Sequence, residues 1–432
     1  MASRGKSCII GAGPSGLAAA KALKDQGLDY DCFELSDDVG GVWYYNSPTG
    51  KSAAYKSLHI NTSKDQMQFS DYPMPAEFPV YTDHKQIFSY FKDFAKHFGV
   101  YDTISFNTGV EHCARLEDGR WAVTLSTGET REYESLFVCN GHHWDQRWPE
   151  PPFPGQFNGK VMHAHSYRTP DEVAGKRVVL LGIGNSAMDI AVEASYVAEE
   201  VTLATRRGAY VLPKYLLGKP LDHWTKPWLP FWLGQKFFAL MLKLSVGKVE
   251  DFGIPTPDHK LMEAHPTISS TFLDRVGHGC VGIKPNIEEL CGDEIRFTDG
   301  SMLAADVLIY CTGYKISFPF FDENIIQTED NDVPLYLHMV KPEMDNLFFI
   351  GLIQPLGAIF PLAEVQAQYA AACLAGKSSL PDEKAMRSDI ERDRDAMEKR
   401  YVKSKRHTIQ VDFYPFMKKV KRAMKAGERS HT

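Results

Sequence analysis

The same order of apolar and polar positions occurs twice along this chain. Residues 7–35 begin with the apolar run CII, pass through a glycine-rich turn into an alanine- and leucine-rich segment with helical spacing, and end in a second short apolar run. Residues 177–207 repeat this order, with VVLL before the turn and VTLA after the helical segment. Each segment therefore predicts a βαβ unit, the building block of parallel sheets.

A second repeated pattern supports this interpretation. Residues 121–143 and 294–315 both contain a strand, a glycine turn, another strand, and an apolar strand that ends in Cys-x-Gly. The simplest arrangement is that each segment closes the domain opened by the preceding glycine-rich turn. We therefore expect an α/β fold with two doubly wound, Rossmann-like dinucleotide-binding domains, the second inserted into the first.

Proline-rich and aromatic segments give the expected domain boundaries. The first part of the first domain covers residues 1–155. The second domain covers residues 156–315 and contains an irregular insertion at about 208–285. Residues 316–380 return to the first domain, and residues 381–432 are expected to form a charged C-terminal helix followed by a basic tail.

Composition narrows the possible functions of this 432-residue chain. The net charge of −7, from 48 basic and 55 acidic residues, argues against a general nucleic-acid binder. The eight cysteines are scattered without a C-x-x-C pair, which disfavours a zinc site, a redox dithiol and a disulfide framework, so no metal is expected. The N-terminus leaves no room for a signal peptide before the first strand, and a cytoplasmic location is expected.

The longest apolar stretch, residues 228–246, contains Pro230, Gln235, Lys236 and Lys243. These polar and helix-breaking residues make a membrane span unexpected. A helix packed inside the protein is the favoured interpretation, and weak contact with a membrane surface is the alternative.

The first glycine-rich turn fits the dinucleotide-binding pattern G-x-G-x-x-G. The expected binding residues of this turn are Gly11, Gly13, Pro14, Ser15 and Gly16. The following helix offers unpaired N–H groups to a pyrophosphate. Glu34, at the end of the next strand, can accept hydrogen bonds from a ribose 2′-hydroxyl and would repel a phosphate there.

The second glycine-rich turn fits G-x-G-x-x-A. Its expected binding residues are Gly182, Gly184, Asn185, Ser186 and Ala187. Two cations, Arg206 and Arg207, stand where the first unit has Glu34, and a guanidinium suits a 2′-phosphate. This site is therefore predicted to bind NADPH and the first site FAD; the alternative is that both arginines are solvated charges at a strand end.

Two such sites predict hydride transfer from NADPH to FAD. A disulfide reductase would need a redox cysteine pair, so oxygen is the expected electron acceptor. The segments FELSDDVGGVWYY, NTSKDQMQFSDYPMP and GLIQPLGAIFPLAEVQAQ, among others, resemble the flavin-containing monooxygenase family over residues 7 to about 375. Phe157, Gly159, His163 and Tyr167 match its F-x-G-x-x-x-H-x-x-x-Y/F signature.

The resemblance implies a reaction. NADPH reduces FAD, O₂ adds to give a C4a-hydroperoxyflavin, and the amine nitrogen or sulfide sulfur of a small-molecule substrate attacks it. The related Baeyer–Villiger enzymes end the signature with Trp, so Tyr167 favours heteroatom oxygenation. Ketone oxidation and an NADPH oxidase releasing hydrogen peroxide remain alternatives. Membrane-bound members of the family end in an apolar helix, whereas this chain ends in a basic segment, so a soluble form is expected. Whether the protein forms a homodimer is left open.

The resemblance also implies site residues. Asn61 matches the active-site asparagine of the family, whose amide donates a hydrogen bond without titrating; a turn or capping role is the alternative. Trp43 is expected near the flavin, and His163 and Tyr167 are expected to be structural. The other residues expected to bind a cofactor are Gly41, Val42, Thr62, Thr312 and Gln354.

Overall fold

A computed structural model describes residues 5–228, 231–264, 266–400 and 408–429. The α-helices are α1 (Pro14–Asp25), α2 (Lys64–Met67), α3 (His84–His97), α4 (Asn185–Ala194), α5 (Phe231–Ser245), α6 (Phe272–Gly277), α7 (Phe360–Leu374), α8 (Glu383–Arg400) and α9 (Phe413–Arg429).

The strands, in chain order, are β1 (Ser7–Ile10), β2 (Tyr30–Phe33), β3 (Ile104–Ser105), β4 (Val110–Arg115), β5 (Trp121–Leu125), β6 (Thr130–Tyr133), β7 (Ser135–Val138), β8 (Asp145–Gln146), β9 (Gly155–Phe157), β10 (Lys160–His163), β11 (Arg177–Leu181), β12 (Glu200–Ala204), β13 (Val211–Leu212), β14 (Tyr215–Leu216), β15 (Lys219–Pro220), β16 (Thr267–Ile268), β17 (Gly282–Lys284), β18 (Ile287–Gly292), β19 (Glu294–Phe297), β20 (Met302–Ala304), β21 (Val307–Tyr310), β22 (Tyr314–Lys315), β23 (Val340–Lys341), β24 (Met344–Phe349), β25 (Gln354–Leu356) and β26 (Gln410–Asp412).

The chain forms two compact units. The first consists of Met1–Ser52, Thr62–Asp145 and Lys315–Thr432, and the second of Ala53–Asn61 and Gln146–Tyr314. The second unit is therefore inserted into the first, as expected for the fold class.

The expected boundaries differ from these units in three places, because residues 53–61 and 146–155 belong to the second unit and Lys315 belongs to the first. Tyr55 lies in the apolar core of that unit, and the N–H of Lys56 donates to the carbonyl of Arg168 at 2.8 Å. These long-range contacts are invisible in a local sequence pattern.

The first unit is built on a six-stranded sheet in the order β23-β24-β7-β1-β2-β3. Only the edge pair β23 and β24 is antiparallel; the neighbouring pairs of the other strands are parallel. Strand β1 is completely buried and lies between β2 and β7. The strand order reverses at β1, which is where open α/β sheets bind ligands at their carboxyl edge.

The second unit contains a five-stranded parallel sheet in the order β10-β21-β11-β12-β17. Strand β11 pairs with β12 and β21, just as β1 pairs with β2 and β7 in the first unit. Both predicted βαβ units are confirmed, and both Cys-x-Gly strands lie beside the strand that opens their unit. The fold is thus two Rossmann-like α/β units.

Residues of the expected insertion, between β12 and β17, form a small apolar core of their own. Leu212, Leu216, Phe238, Leu242 and Leu261 are its buried members. Helix α5 supplies Phe238 and Leu242 to this core, and it exposes Leu233, Leu240 and Leu244. The favoured interpretation of this helix as fully packed was therefore only partly right.

The C-terminal segment differs from the expected basic tail, because residues Phe413–Arg429 form helix α9. Phe416 and Val420, one helical turn apart, are buried, and Lys419 pairs with Asp389 and Asp393 of α8 at 2.7 and 2.6 Å. Buried apolar residues and ion pairs to α8 therefore both hold this segment in place.

Candidate functional site

Close backbone packing shapes the first glycine-rich turn. Gly11 has a φ of +98°, and a Cβ there would lie 2.8 Å from the carbonyl oxygen of Cys139, which follows β7. A Cβ at Gly16 would lie 1.9 Å from the carbonyl oxygen of Gly11. Pro14 is the first residue of α1, and Gly13 precedes it as the N-cap. This end of α1 therefore presents backbone N–H groups without side-chain obstruction, a cradle that fits a pyrophosphate.

Glu34 is placed against this cradle. Its Oε2 accepts a hydrogen bond from the N–H of Ala12 at 2.7 Å, and its Oε1 accepts one from the N–H of Ser36 at 2.8 Å. Burial raises the pKa of the Glu34 carboxyl, while the backbone N–H groups act in the opposite direction. A carboxylate oxygen has more than one acceptor position, so Glu34 can still receive a ribose hydroxyl.

The segment around Gly41 lies beside the same cradle. The N–H of Gly40 donates to the carbonyl of Ala12 at 3.1 Å, and a Cβ at Gly41 would lie 3.2 Å from the Cα of Gly13. The carbonyl of Val42 accepts the hydroxyl of Ser52 at 2.8 Å. Gly41 is therefore close to the cradle and Val42 follows it in the chain, and cofactor binding by both residues stays a prediction.

Helix α7 begins beside Trp43. The Trp43 ring lies edge-on to Phe360, the first residue of α7, at 6.3 Å between centroids. Helix N-termini carry positive partial charge, so this region suits a flavin ring that gains negative charge on reduction.

Ser15 and Gln354 are linked to the cradle through the segment after β24. A Cβ at Gly351 would lie 2.1 Å from the Oγ of Ser15, so this segment passes directly over the first turn of α1. Three residues later, Gln354 begins β25. The first unit thus brings its predicted glycines, Glu34, Ser15 and the path to Gln354 to one sheet edge.

The second glycine-rich turn repeats the packing of the first. A Cβ at Gly182 would lie 2.5 Å from the carbonyl oxygen of Cys311, which follows β21. Gly184 is the N-cap of α4, and Ala187 is fully buried against the second core. Ser186, in the first turn of α4, is half-buried. This second cradle also fits a pyrophosphate.

Asn185 has a contact that its sequence position did not suggest. Its Oδ1 accepts a hydrogen bond from the N–H of Ile268 at 2.8 Å, and the hydroxyl of Thr267 donates to the carbonyl of Ile183 at 2.8 Å. Both contacts fasten β16, at the end of the insertion, to the second cradle. The insertion is therefore anchored where the dinucleotide is expected.

The two arginines after β12 differ in their surroundings. Both are exposed, and Arg207 lies 3.5 Å from the carboxylate of Asp258 in the insertion. The hydroxyl of Thr205 donates to the carbonyl of Arg207 at 2.7 Å, which fixes the turn. A solvent-exposed ion pair is weak, so Asp258 does not prevent Arg207 from binding a phosphate.

Thr312 uses its side chain within the fold. Its hydroxyl donates to the carbonyl of Arg147, and the N–H of Arg147 donates to the carbonyl of Gly313 at 3.0 Å. Thr312 could therefore form a hydrogen bond to a cofactor only through its backbone or through the remaining acceptor position of its hydroxyl.

Asn61 and Thr62 lie at the junction between the chain segments of the two units. Asn61 ends the short segment that belongs to the second unit, and Thr62 begins the return to the first. Thr62 is buried and Asn61 is half-buried.

The signature motif is held by packing. A Cβ at Gly159 would lie 2.4 Å from the carbonyl oxygen of Asp306 and 2.7 Å from the ring of Phe157. The Nδ1 of His163 accepts the N–H of His165 at 3.1 Å, and the hydroxyl of Tyr167 donates to Glu193 at 3.0 Å. These contacts favour a structural role for the motif.

Two partly buried acids in α4 were not anticipated from the sequence. Asp189 accepts the hydroxyl of Tyr55 at 2.6 Å, and burial raises the pKa of both carboxyls, Asp189 and Glu193. The only sequence signal is that both acids stand among apolar positions of the helix. They link residues 53–61 to the helix that follows the second cradle.

His142 is a further residue that the motifs did not reveal. It follows β7 in the segment CNGHH, is 9% exposed, and neither ring nitrogen has a hydrogen-bond partner among the described residues. Burial lowers the pKa of His142 well below its usual range. It lines a cavity of about 10 Å³ together with Asn140 and Gly351, enough for one water molecule.

Glu34 lies beside the first cradle, whereas Arg206 and Arg207 follow the strand after the second. Two such cradles in one chain are typical of an oxidoreductase that uses two dinucleotides. The chain belongs to the flavin-binding monooxygenase-like family, whose model matches residues 4–428. It is therefore a flavin-dependent monooxygenase. The two predicted cofactors, FAD and NADPH, agree with this family.

Known proteins of the family resemble the chain over most of its length. Flavin-containing monooxygenase 5 of Rattus norvegicus is 38% identical over 95% of this chain and 81% of the relative. Dimethylaniline monooxygenase [N-oxide-forming] 2 of Oryctolagus cuniculus is 35% identical over 89% of this chain and 76% of its own length.

Solved structures share the fold. The S-allyl-L-cysteine S-oxygenase of Allium sativum is 26% identical, with a TM-score of 0.74 over 98% of this chain and 88% of that one. A cyclohexanone monooxygenase is 17% identical, with a TM-score of 0.76 over 98% of both chains, and this match shows the fold alone. Across the residues described here, no helix has both the length and the apolar character needed to cross a membrane.

Proposed function

We propose that this protein oxygenates a soft nucleophile, an amine nitrogen or a sulfide sulfur, in a small-molecule substrate, using NADPH and O₂. The first cradle holds FAD and the second holds NADPH. The observation that carries this assignment is the contrast between the two strand ends: Glu34 lies against the first cradle, whereas Arg206 and Arg207 follow β12 after the second.

The residues of this chain have separate tasks in the proposed reaction. Glu34 orients the adenosine ribose of FAD, and Gly11, Gly13 and Gly16 admit its pyrophosphate. Arg206 and Arg207 select the 2′-phosphate of NADPH through charge-assisted hydrogen bonds. Bound FAD supplies the chemistry that the side chains lack, since it accepts a hydride and its reduced form reacts with O₂.

Asn61 is the proposed catalytic side chain. A neutral amide can donate a hydrogen bond to the reacting centre at any physiological pH, because it does not titrate. The protein otherwise contributes by excluding water from the reacting flavin. No acid or base is required for attack by a soft nucleophile.

The choice of nucleophile is supported by the names of two similar proteins. One is an N-oxide-forming dimethylaniline monooxygenase and the other an S-allyl-L-cysteine S-oxygenase. In this chain, the signature ends in Tyr167 rather than in Trp, which supports heteroatom oxygenation.

The test compares product formed per NADPH consumed with a tertiary amine, a sulfide and a cyclic ketone, while hydrogen peroxide is measured in parallel. We expect nearly one product per NADPH with the amine or the sulfide, and little with the ketone. Ketone oxidation as the main reaction, or peroxide as the main product with all three substrates, would refute the proposal.

Weak contact with a lipid surface is a second proposal for the insertion. Leu240 and Leu244 of α5 are exposed, with Leu233 on the same helix and Lys236 and Lys243 nearby. Basic residues beside exposed leucines favour anionic lipid surfaces. Sedimentation with phosphatidylserine vesicles should decrease when Leu240 and Leu244 are changed to Ser; equal sedimentation of the variant would contradict this contact.

A further inference from the structure

Three polar residues form one stripe along helix α4. Asn185, Asp189 and Glu193 are spaced four residues apart, and side chains at this spacing lie on the same face of a helix. Each of them accepts a hydrogen bond from a different distant segment of the second unit. The stripe therefore fastens three separate segments to the helix that begins at the second cradle.

The middle residue of the stripe holds the segment that carries Asn61. The hydroxyl of Tyr55 donates to the Oδ2 of Asp189 at 2.6 Å, a length typical of a hydrogen bond to a carboxylate. Burial raises the pKa of the Asp189 carboxyl, whereas the Tyr55 hydroxyl and the nearby Lys214 ammonium favour its charged form. A hydrogen bond to a charged acceptor is about twice as strong as one between neutral groups.

Residues 53–61 depend on such contacts for their conformation. They lie outside the helices and strands, so side-chain contacts and single backbone hydrogen bonds must fix them. The Tyr55 side chain is buried in the core of the second unit, and the N–H of Lys56 donates to the carbonyl of Arg168 at 2.8 Å. The N–H of Leu58 donates to the carbonyl of Tyr55 at 3.0 Å, which closes a turn directly after the anchored ring.

Asn61 is the last residue of this segment. It follows Tyr55 by six residues, and Ile60 before it is 1% exposed. A short stretch of chain, with a turn at its start and a buried residue at its end, thus joins the Tyr55 ring to the Asn61 amide. A displaced Tyr55 is therefore expected to shift this amide, and a shift of about 1 Å at a reacting centre can lower a rate about a hundredfold.

We propose that Asp189 is a positioning residue, which holds the Asn61 amide in place through the hydroxyl of Tyr55. This inference rests on the proposed role of Asn61 in oxygenation. Asp189 needs no contact with the flavin or the substrate for this task. Because α4 begins at the second cradle, the helix that is proposed to receive the pyrophosphate of NADPH is also the helix that positions Asn61.

The other two residues of the stripe hold segments without a proposed catalytic side chain. Asn185 accepts the N–H of Ile268 in the insertion at 2.8 Å, and Glu193 accepts the hydroxyl of Tyr167 in the signature at 3.0 Å. Tyr167 is as deeply buried as Tyr55. The chain thus offers two similar bonds from a tyrosine to an acid of α4, of which one leads to Asn61.

The test uses full-length protein with FAD and combines two measurements. Hydrogen–deuterium exchange is followed in the peptide that covers residues 53–62, and product and hydrogen peroxide are measured per NADPH consumed. In Tyr55→Phe we expect faster exchange in this peptide and a product yield lowered about three- to tenfold, with peroxide making up the difference. The FAD content and the rate of anaerobic reduction by NADPH should stay within about twofold of the wild type.

Two variants of Asp189 separate the acceptor from the side chain as a whole. Asp189→Ala removes the acceptor and should reproduce both effects of Tyr55→Phe. Asp189→Asn keeps an oxygen that can accept the hydroxyl, so it should restore most of the wild-type yield.

Tyr167→Phe is the matched control. It removes a hydroxyl that donates to Glu193 on the same stripe, it keeps an equally buried ring, and the signature itself allows Phe at this position. We expect wild-type exchange in residues 53–62 and a wild-type product yield. Equal losses of yield in Tyr55→Phe and Tyr167→Phe would overturn the inference, because both hydroxyls would then only stabilise the second unit.

A double-variant cycle shows whether Tyr55 acts through Asn61. In an Asn61→Ala background, Tyr55→Phe should cause no further loss of yield, because no amide is left to position. Losses that multiply, full yield in Tyr55→Phe, or full yield in Asn61→Ala would each overturn the inference. A wild-type protein that forms no oxygenated product would instead refute the proposed function, and the exchange measurement would still report whether Asp189 fixes the segment.

Discussion

The Oε2 of Glu34 accepts a hydrogen bond from the backbone N–H of Ala12 at 2.7 Å. This contact joins the end of β2 to the glycine-rich turn that precedes α1. The carboxylate that is proposed to select the ribose thus also stabilises the turn that is proposed to receive the pyrophosphate. The second unit has no acid at the corresponding position, where the chain reads Arg206 and Arg207.

Glu34→Gln should weaken both functions of this side chain. Its amide can accept only one of the two backbone N–H groups, and its NH₂ would face the other donor. We expect the free energy of unfolding to fall by about 1–3 kcal/mol and the Kd for FAD to rise at least about tenfold. Glu129→Gln, which alters an exposed pair with Arg131, is the matched control.

Urea unfolding and FAD titration of apoprotein measure these two effects. An unchanged Kd for FAD in Glu34→Gln, with the control also unchanged, would show that the carboxylate acts only within the turn.

Asn61→Ala should separate flavin reduction from substrate oxygenation. We expect normal FAD content and normal anaerobic reduction by NADPH, but a product yield lowered about tenfold or more, because a donor at the reacting centre is lost. Asn61→Asp keeps the shape but replaces the amide donor and should show a similar loss. Asn158→Ala, at an exposed asparagine that contacts Asp293, is the control.

Product and hydrogen peroxide per NADPH are the quantities to measure. Full product yield in both Asn61 variants would assign Asn61 to the turn or capping role that its sequence also allows.

Buried His163 should make the second unit less stable at acidic pH. The side chain is 1% exposed, and burial lowers its pKa to about 4 from the ordinary value near 6.5. Between these two values the unfolded chain binds a proton that the folded chain does not. The contribution of neutral His163 to the free energy of unfolding is therefore fully present above about pH 6.5. It falls as the pH decreases towards 4, and about 2 kcal/mol of it is lost at pH 5.

Urea unfolding at pH 7 and pH 5 checks this dependence. His163→Gln should reduce the difference in the free energy of unfolding between the two pH values by about 2 kcal/mol. His278→Gln, at an exposed histidine, should leave that difference unchanged. A full acid effect in His163→Gln would contradict the prediction.

Local sequence patterns predicted the parts of the fold that depend on local contacts. Both βαβ units follow from apolar strands and glycine spacing, and the approach of Gly11 to Cys139 shows why glycine is needed there. The packing of α9 could not be predicted in this way. Basic residues are the most conspicuous feature of its sequence, and the packing partners of Phe416 and Val420 lie far away in the chain.

The same limit applies to the candidate site. Gly182 and Arg206 could be proposed as dinucleotide-binding residues from spacing alone, since that ligand chemistry favours a glycine and a cation at these positions. The bond from Ile268 to Asn185, the placement of residues 53–61 and the pairing of Gln410 with Gln354 all depend on contacts between distant segments. Only the folded chain reveals them.

We propose that the second cradle binds NADPH through its arginines and delivers electrons to FAD in the first. The most direct measurement is anaerobic stopped-flow reduction of bound FAD by NADPH and by NADH, in the wild type and in Arg206→Ala/Arg207→Ala. We expect the wild type to prefer NADPH and the variant to lose this preference by about 10- to 100-fold, through a higher Kd for NADPH with little change for NADH. Equal changes for NADPH and NADH, or an unchanged preference, would refute the assignment of the second cradle to NADPH.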